Sequence, residues 1–397
     1  MKEFDVIIIG GGVIGLSIAT ALKVNNTSIK VLLVDKEPLL GMHASGRNSG
    51  VIHAGFYYSP DSLKAKFCSI GNIKLSDLIA RHKIPILKCG KVVVTRNSSE
   101  ELQIEKLYSR GVANGIDIRV LPRIALKNIE PLATTYENFL WSPNTAVSDP
   151  SLVIKAMQKE AEASGVEFAL ESKLNVGDSD AQINGERIAF RHLVNCAGSY
   201  ALDVARTYGF GGKYLTLPFI GRYLKSSENY FSLKALVYPV PHPINPFLGV
   251  HLTKTIDGNV KIGPTAFPLF GKEQYSIFKG IKISEIFESI NGLVSLIKGS
   301  AHDVSELLIN ELPKISARKL IEEVSSISPE IKNVRHWRPS PAGIRAQLVD
   351  ILNGEFVQDF IIEGDFNSTH VLNAVSPGWT SSIPFGDYIA NHILDKL

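Results

Sequence analysis

The feature that most constrains the fold of this chain is a glycine pattern near its N-terminus, Gly10-x-Gly12-x-x-Gly15. The apolar run FDVIII precedes the glycines, and VIGLSIATALKV, which is apolar at helical spacing, follows them. In this setting Gly10 permits a tight turn, Gly12 lets the backbone approach a pyrophosphate, and Gly15 lets the helix pack closely on the strand. The pattern predicts a strand, a turn and a helix whose N-terminus faces phosphates.

A second apolar run, IKVLLV, ends in Asp35, about twenty positions after Gly15. A carboxylate at this position can accept hydrogen bonds from the ribose hydroxyls of a dinucleotide. Because the strand, the helix, the second strand and the acid all agree, the segment predicts a Rossmann-type unit that binds a dinucleotide. The pattern alone leaves open whether the dinucleotide is NAD or FAD.

The same N-terminal run is about 21 residues long and mostly apolar, which is near the length of a membrane-spanning helix. Asp5 at its start, the glycines in its middle and the separation of β-branched residues from helix formers favour the strand, turn and helix instead. No small-residue cleavage site follows, which argues against a signal peptide. We expect a cytoplasmic protein, and peripheral contact with the inner membrane is left open.

The composition is that of an ordinary globular protein, with 45% hydrophobic and 20% charged residues among 397. The net charge of +3 and the lack of a dense basic block argue against a nucleic-acid partner. The cysteines, Cys68, Cys89 and Cys196, are scattered, which argues against a disulfide framework and a zinc site. We therefore expect a reducing compartment and no bound metal.

The segment ASGRNSGVIHAG, residues 44–55, places small and hydrogen-bonding residues around a single histidine, His53. Gly46 and Gly50 leave room for a ligand, since glycine lets a backbone approach closely. Serine hydroxyls and the asparagine amide of this segment can donate hydrogen bonds along a dinucleotide. We expect the segment to run from the phosphates towards the reactive end of the cofactor, where His53 would lie.

The longer stretch VDKEPLLGMHASGRNSGVIHAGFYYSPDSLKAKFC, residues 34–68, resembles the FAD-dependent L-2-hydroxyglutarate oxidases and dehydrogenases. These belong to the D-amino-acid-oxidase-like flavoproteins. The resemblance implies FAD as cofactor, a small 2-hydroxy acid as substrate and its 2-oxo acid as product. The electron acceptor is left open among oxygen, a quinone and another flavoprotein. It continues in the segments KCGKVVV, NIEP, LVNCAGSYA, YPVPHPINPFLGVHLT, DGNVKIGPTAF, SPAGIRAQLVD, DFIIEG and VLNAVSPGWTSSIPFGDYIA.

The chain departs from the family pattern at a few positions. Arg47 stands where the family usually has histidine, and PFIGRY, with Ile220 and Arg222, replaces a PFRGEY-like segment. Thr265 and Trp379 replace an asparagine and an alanine of the pattern. These changes leave the exact substrate open, and whether FAD is covalently attached is open as well.

The glycine pattern and the resemblance together assign a set of residues to the cofactor. These are Gly10, Gly12, Gly15, Asp35, Lys36, Ser45, Arg47, Asn48, Ser49, Gly50, Leu174, Ala197, Gly198, Gly343, Ser376, Gly378, Trp379 and Thr380. Thr380, Ser381 and Ser382 are also expected to cap a C-terminal helix whose N-terminus stabilises negative charge on reduced flavin.

Oxidation of a 2-hydroxy acid needs a cation for the carboxylate and a base for the hydroxyl proton, while flavin N5 receives the hydride. Arg345 is the first choice for the cation, because arginine binds carboxylates through two prongs. His53 and His251 are the candidate bases, since histidine titrates near neutral pH; His53 is equally a flavin anchor or a positioning group. Lys64 and Lys66 either attract a second carboxylate or form a solvated helix face, which is the interpretation we favour.

We expect an α/β fold in which a Rossmann-type FAD-binding domain is interleaved with a mixed-sheet α+β substrate domain. The FAD-binding domain is expected at 1–80, 150–212 and 340–397, and the substrate-binding domain at 81–149 and 213–339. The leading hypothesis is an L-2-hydroxyglutarate oxidase or dehydrogenase. An amine or amino-acid oxidase of the same superfamily, suggested by Ile220 and Arg222, and a non-enzymatic flavin-binding scaffold are the alternatives.

Overall fold

The structure is a computed structural model that describes residues 2–176, 180–226, 232–241, 248–276 and 280–397. Residues 242–247, which belong to the segment YPVPHPINPFLGVHLT of the family resemblance, lie outside the described residues. Helices and strands are mixed along the described chain, so the α/β class that we expected is confirmed.

The helices of the described chain are α1 (Val13–Asn25), α2 (Leu63–Arg81), α3 (Ser98–Ala113), α4 (Arg123–Ile129), α5 (Pro150–Ala163), α6 (Ala201–Thr207), α7 (Ile283–Glu311), α8 (Ala317–Ser325) and α9 (Gly378–Leu394). Short 3-10 helices lie at Gly198–Tyr200, Leu312–Ile315 and Pro329–Asn333. The strands are β1 (Lys2–Ile9), β2 (Val31–Val34), β3 (Val51–Ile52), β4 (Ile86–Leu87), β5 (Lys91–Val94), β6 (Arg119–Pro122), β7 (Asn138–Ser142), β8 (Ala146–Ser148), β9 (Glu167–Ala169), β10 (Leu174–Val176), β11 (Asp180–Ile183), β12 (Glu186–Asn195), β13 (Tyr214–Ser226), β14 (Leu236–Pro239), β15 (His251–Lys254), β16 (Val260–Gly263), β17 (Phe267–Pro268), β18 (Arg338–Asp350), β19 (Glu355–Phe356), β20 (Ile361–Gly364) and β21 (Ser368–Leu372).

The first sheet contains the N-terminal unit predicted from the glycine pattern. β1 lies between β2 and β12 and is parallel to both, while β9 and β21 extend the parallel part on either side. Apolar residues of β1 and β2 pack against α1, α5 and α9 on one face of this sheet. The carboxyl ends of these parallel strands meet at one edge, which is where such sheets bind ligands.

The second sheet is mixed and has the order β19-β18-β13-β16-β15-β14-β5-β7-β6, with β17 beside β13. Its longest pair is antiparallel: β13 and β18 pair from Tyr214 opposite Asp350 to Lys225 opposite Arg338. This register places Phe219 opposite Arg345. A small third sheet joins β3, β8 and β4.

Strand pairing bears on the domain boundary that we expected at residue 340. β18 and β19 are hydrogen-bonded into the second sheet, whereas β20 and β21 belong to the first. The run of residues 338–356 therefore continues the sheet of β13, although the expected boundaries assign most of it to the FAD-binding domain. The expected boundary differs from the strand pairing because β18 pairs with β13 along nearly its whole length, and the local sequence pattern does not reveal this pairing.

The two helix starts that we expected have different outcomes. α5 begins at Pro150 after Asp149, whose carboxylate accepts hydrogen bonds from the backbone N–H groups of Ser151 and Leu152 at 2.8 and 3.2 Å. The cap expected for α9 is wrong: this helix begins at Gly378, after Pro377. Thr380, Ser381 and Ser382 are buried inside the helix, because α9 packs against α1 and α2.

Candidate active site

A cavity of about 660 Å³ lies where the carboxyl ends of the first sheet face the second sheet. Its volume is within the range of small-molecule and cofactor sites. The cavity brings together every residue that the sequence assigned to the site except Gly15 and Gly50. Strand ends of the first sheet supply one wall, and β13, β14, β15 and β18 supply the other.

The glycines of the first turn are required by close contacts. Gly10 has a φ of +104°, and a Cβ atom there would lie 2.4 Å from the carbonyl oxygen of Cys196. A Cβ atom on Gly15 would lie 2.1 Å from the carbonyl oxygen of Gly10, so Gly15 permits the close packing of α1 on β1. Gly12 lines the cavity, where the N-terminus of α1 offers N–H groups to phosphates.

Asp35 shapes the turn and also lines the cavity. Its Oδ2 accepts a hydrogen bond from Gly11 N at 2.7 Å, and its Oδ1 accepts one from Glu37 N at 2.9 Å. A carboxylate has further lone pairs, so Asp35 can still accept hydrogen bonds from a ribose. Lys36, the next residue, forms an ion pair with Glu273 and lies 5.1 Å from the centroid of the Tyr200 ring.

The ASGRNSGVIHAG segment is held by its own side chains. Ser45 Oγ accepts a hydrogen bond from Val13 N at 3.1 Å, and Asn48 Nδ2 donates to the carbonyl oxygen of Ser45 at 2.6 Å. Asn48 Oδ1 accepts from Gly50 N at 2.8 Å. Gly50 itself has a φ of +74° and lies against the Ser148 carbonyl rather than in the cavity wall. The donors that we expected along the cofactor therefore also fix the loop.

Arg47, the first departure from the family pattern, bridges two parts of the chain. Its guanidinium lies 4.2 Å from the centroid of the Tyr275 ring, and its Nε donates to the carbonyl oxygen of Met42 at 2.8 Å. A cation over a tyrosine face is attracted by the ring electrons. Arg47 thus joins the loop over the cofactor site to the segment that follows β17.

The N-terminus of α9 faces the cavity through Gly378, Trp379 and Thr380. Thr380 Oγ1 accepts a hydrogen bond from His53 N at 3.1 Å, which ties the end of β3 to this helix. Trp379 Nε1 is buried without a hydrogen-bond partner among the described residues. The positive end of the α9 dipole therefore faces the cavity, and such a helix end favours an anionic ligand.

His251 is held in one tautomer. It stacks on Tyr238, with ring centroids 3.7 Å apart and an angle of 14° between the planes. The Nδ1–H of His251 donates to the carbonyl oxygen of Gly249 at 2.8 Å, which leaves Nε2 as the hydrogen-bond acceptor. Burial lowers the pKa of His251 to about 3, so the ring is neutral at pH 7 and Nε2 keeps its lone pair.

His53, which follows β3, also lines the cavity and is also buried. Burial is the main cause that lowers its pKa well below the ordinary 6.5, and the charges of Lys91 and His251 act in the same direction. His53 Nδ1 has no hydrogen-bond partner among the described residues. The structure thus brings both candidate bases together as neutral imidazoles.

Arg345, on β18, is partly buried and lines the wall that the second sheet supplies, as His251 does. Burial lowers its pKa to about 10, so it stays charged at neutral pH. Its Nε donates a hydrogen bond to Gln347 Oε1 at 3.0 Å, and Gln347 Nε2 donates to the carbonyl oxygen of Val357 at 2.6 Å. Gln347 therefore orients the guanidinium, which suits a fixed carboxylate contact.

The structure corrects our interpretation of the two lysines in SLKAKFC. Lys66 is exposed, but Lys64 is buried with 4% of its surface accessible, so the two do not share a solvated face. The Lys64 ammonium lies 5.6 Å from the centroid of the Phe360 ring, and burial lowers its pKa to about 7. The interpretation failed because α2 turns Lys64 towards Phe360 while Lys66 lies on its outer side.

Sequence reasoning missed Tyr238, which lines the cavity, and Lys91, which is buried next to it. The segment KCGKVVV contains Lys91 within an apolar run, and that placement is the signal that could have singled it out.

Glu37, His43 and Glu273 also gather near the cavity, with ligand atoms within 4.8 Å of one another. Lys36 bonds both carboxylates of that group, so its ammonium already supplies the cation there.

These features fit FAD. The glycine turn and the α1 N-terminus can hold the pyrophosphate, Asp35 can hold the ribose, and the α9 N-terminus can face the flavin end. The polar atoms Trp379 Nε1 and His53 Nδ1, which lack partners among the described residues, belong to residues that line the cavity. A bound ligand would give such buried atoms the partners that they need.

The model of the family "FAD dependent oxidoreductase" matches residues 5–392 of this chain. The chain belongs to the FAD-dependent oxidoreductase family. It is an enzyme whose cofactor is FAD, and it passes electrons from a small-molecule substrate to an acceptor. The hypothesis of a non-enzymatic flavin-binding scaffold is therefore set aside.

Relatives of this FAD-dependent oxidoreductase confirm the resemblance drawn from its motifs. The chain is 33% identical to the mitochondrial L-2-hydroxyglutarate dehydrogenase of Caenorhabditis briggsae, over 100% of this chain and 94% of that protein. It is 32% identical to the L-2-hydroxyglutarate dehydrogenase of Escherichia coli strain K12, over 98% and 93% of the two chains. Both matches span nearly the full length of each protein.

Solved structures agree with the family. The dithionite-reduced L-α-glycerophosphate oxidase of Mycoplasma pneumoniae with FAD bound has a TM-score of 0.76 and 25% identity, covering 100% of this chain and 95% of that one. Glycine oxidase from Geobacillus kaustophilus has a TM-score of 0.69 and 16% identity, covering 100% and 96%, and shows the same fold. Among the described residues, no helix combines the length and the apolar character that crossing a bilayer requires.

Proposed function

We propose that this FAD-dependent oxidoreductase oxidises L-2-hydroxyglutarate to 2-oxoglutarate. The observation that carries the proposal is that relatives with this name match the chain from end to end. The cavity supports it, because a partly buried arginine and two neutral histidines line the same space. A 2-hydroxy acid needs a cation that binds its carboxylate and a base that removes its hydroxyl proton, and the arginine and the histidines can fill these roles.

In the proposed mechanism, Arg345 binds the carboxylate beside the reacting carbon, and Gln347 keeps the guanidinium in place. His251 Nε2 accepts the hydroxyl proton, because its Nδ1–H is already committed to the Gly249 carbonyl. FAD, when bound, supplies the acceptor for the hydride of the α-carbon. His53 lines the same cavity and is the second candidate for the base.

The test is anaerobic mixing of the FAD-loaded enzyme with L-2-hydroxyglutarate in a stopped-flow spectrometer. We expect the flavin absorbance near 450 nm, a region set by the cofactor itself, to bleach at a rate that saturates with substrate. D-2-hydroxyglutarate is the matched control, since it has the same charges and the opposite configuration. Absence of bleaching with the L-isomer, or equal rates with both isomers, would contradict the proposal.

The amine oxidase alternative loses the observation that suggested it. Ile220 is buried away from the cavity wall, and Arg222 Nη1 donates to the carbonyl oxygen of Ile315 at 3.0 Å. Thr265 does line the cavity, but its Oγ1 donates to the carbonyl oxygen of Ile220 at 3.0 Å. Glycine, sarcosine and proline in the same stopped-flow assay are the check, and we expect no bleaching with them.

We further propose that the chain divides as the sequence indicates into an FAD-binding part and a substrate-binding part, with β18 and β19 in the sheet of the substrate-binding part. In this division the cofactor residues predicted at the first sheet hold FAD. Arg345 and His251 approach it from the second sheet. Limited proteolysis with and without FAD tests the division: protection by FAD should concentrate in residues 1–80 and 361–397.

The electron acceptor is proposed to be a membrane quinone, reached through a surface on α7. This surface, the α7 face, consists of the exposed residues Ile283, Phe287, Ile290, Val294 and Ile297. Their spacing of three and four residues places them on one side of the helix. Lys282 and Lys298 are exposed at its two ends, while Glu285 and Glu288 are largely buried. An apolar stripe with cationic ends suits an anionic lipid surface.

Sedimentation with vesicles, with and without phosphatidylserine, tests the α7 face. We expect the enzyme to sediment with anionic vesicles and the Phe287→Glu variant to stay in solution. Ile124→Glu, at an exposed isoleucine of α4, is the matched control and should sediment like the wild type. If wild-type enzyme does not bind vesicles, or if Phe287→Glu instead turns a dimer into a monomer in light scattering, the membrane proposal is wrong.

A further inference from the structure

Lys91, on β5, is a fully buried lysine beside the cavity. Its Nζ has no hydrogen-bond partner among the described residues. Three aromatic rings surround the ammonium instead: the centroids of Tyr57, Phe56 and Tyr238 lie 4.5, 4.6 and 4.7 Å from Nζ. Ring faces attract a cation, so these three residues, the aromatic cage, hold the charge in place.

The aromatic cage connects Lys91 to His251. In the second sheet β14 lies between β5 and β15, so Tyr238 stands between Lys91 on one neighbouring strand and His251 on the other. The Tyr238 ring contacts both, since it stacks on the His251 ring with 3.7 Å between centroids. The position of Lys91 and the position of the candidate base thus depend on one shared ring.

The cage also connects Lys91 to His53. Phe56 and Tyr57 follow His53 closely on the same segment, and their rings contact each other with 4.2 Å between centroids. Cys68, on α2, approaches from a further side, and its thiol is 3.6 Å from the carbonyl oxygen of His53. Lys91 therefore lies at the centre of the groups that support both histidines of the cavity.

A purely structural role does not account for a lysine at this position. An apolar side chain would fill the space without the cost of burying an ammonium group. A buried charge is normally matched by a carboxylate, but no described residue pairs with Lys91. The titratable groups that face it are the thiol of Cys68, the phenols of Tyr57 and Tyr238, and the imidazoles of His53 and His251.

We propose that Lys91 is a positioning residue of the active site, whose caged ammonium fixes Tyr238 and disfavours the protonated forms of His53 and His251. This role rests on the proposed function, in which one of these histidines must be neutral to accept the substrate proton. Lys91 acts through the rings of the aromatic cage and through its charge, since Lys91 itself does not line the cavity.

The direction of the electrostatic effect follows from the charges. Burial lowers the pKa of Lys91 to about 7, so at the acidic pH where a buried histidine titrates the lysine carries its proton. A positive charge nearby opposes a second positive charge, and the pKa of each histidine falls for this reason in addition to burial. Removal of the ammonium group should therefore raise both pKa values.

The test is NMR titration of FAD-loaded enzyme labelled with ¹³C at histidine Cε1, in the wild type and in Lys91→Met. Methionine keeps most of the volume and removes the charge. We expect the titration midpoints of His53 and His251 to rise by about 1 pH unit, as a nearby charge typically causes. The acid limb of the pH profile of kcat/KM should move up by the same amount.

Lys261→Met is the matched control, because Lys261 lies in the same sheet, with its ammonium 5.8 Å from the centroid of the Tyr223 ring. It is the charge of Lys91, not that of Lys261, that lowers the pKa of both histidines. Histidine midpoints that move no more in Lys91→Met than in this control would overturn the inference. If Lys91→Met does not fold, wild-type enzyme labelled at both lysine Cε and histidine Cε1 decides. The resonances of the two histidines must then shift as Lys91 titrates, and constant resonances overturn the inference. The NMR readout needs no substrate, so it is independent of the proposed reaction.

Discussion

At the scale of single residues, the tautomer of His251 gives the sharpest prediction. Replacement by glutamine keeps a hydrogen bond to the Gly249 carbonyl available but removes the base, so we expect flavin reduction to slow by about 10²–10⁴-fold. The visible spectrum of the bound flavin should stay unchanged. His336→Gln, at an exposed histidine, is the control and should react like the wild type. If His251→Gln reacts normally and His53→Gln does not, His53 is the base.

Arg345 gives the second prediction at this scale. Lysine keeps the charge but has a single ammonium group instead of a planar two-pronged guanidinium. We expect Arg345→Lys to raise the KM for the 2-hydroxy acid by about 10–100-fold, which corresponds to the loss of about 1.5–3 kcal/mol for a charged hydrogen bond. Arg338→Lys, on the exposed end of the same strand, is the control. Equal KM values for the two variants would place the carboxylate elsewhere.

At the scale of elements, the approach of α2 to α9 depends on Gly71. A Cβ atom on Gly71 would lie 2.2 Å from the carbonyl oxygen of Thr380, in the first turn of α9. We expect Gly71→Ala to force the helices apart, to cost about 1–3 kcal/mol of unfolding free energy, and to weaken FAD binding because the α9 N-terminus faces the cavity. Urea denaturation and FAD titration are the measurements.

Gly292, in α7, provides the matched control for Gly71. A Cβ atom on Gly292 would lie 3.8 Å or more from its neighbours, which is an ordinary contact distance. Gly292→Ala should therefore be neutral or stabilise the protein by up to about 1 kcal/mol, as expected for alanine in a helix. A loss of stability at Gly292 as large as at Gly71 would show that helix spacing is not the cause.

At the scale of the whole molecule, buried histidines should make the fold sensitive to acid. Burial lowers the pKa values of His192 and His370 to about 4 and that of His251 to about 3, from an ordinary 6.5. At pH values between these lowered pKa values and 6.5, the three histidines are protonated in the unfolded chain but not in the folded protein. The contribution of these histidines to the free energy of unfolding should therefore be fully present above pH 6.5 and be lost as the pH drops towards 4.

Urea denaturation at a series of pH values between 4 and 8 checks this expectation, because the slope of the unfolding free energy with pH counts the protons taken up. We expect the histidines to add a positive slope below pH 6.5. Above pH 7, Lys64 and Lys91 add a slope of the same sign, because burial lowers their pKa values to about 7 and the unfolded chain keeps these protons longer. An unfolding free energy that is constant from pH 7 to pH 5 would contradict neutral burial of these histidines.

The sequence by itself determined the strand, glycine turn and helix of the N-terminal unit, because Gly15 packs on Gly10 and Asp35 bonds Gly11 and Glu37, all within the first 37 residues. Motif resemblance extended this to FAD and to a 2-hydroxy acid. Only the tertiary structure decided which groups meet. His53, Lys91, His251 and Arg345 come from distant parts of the sequence, and their meeting depends on pairing of β5 with β14, β14 with β15 and β13 with β18. Local periodicity cannot specify such pairings, since they are set by the packing of whole sheets.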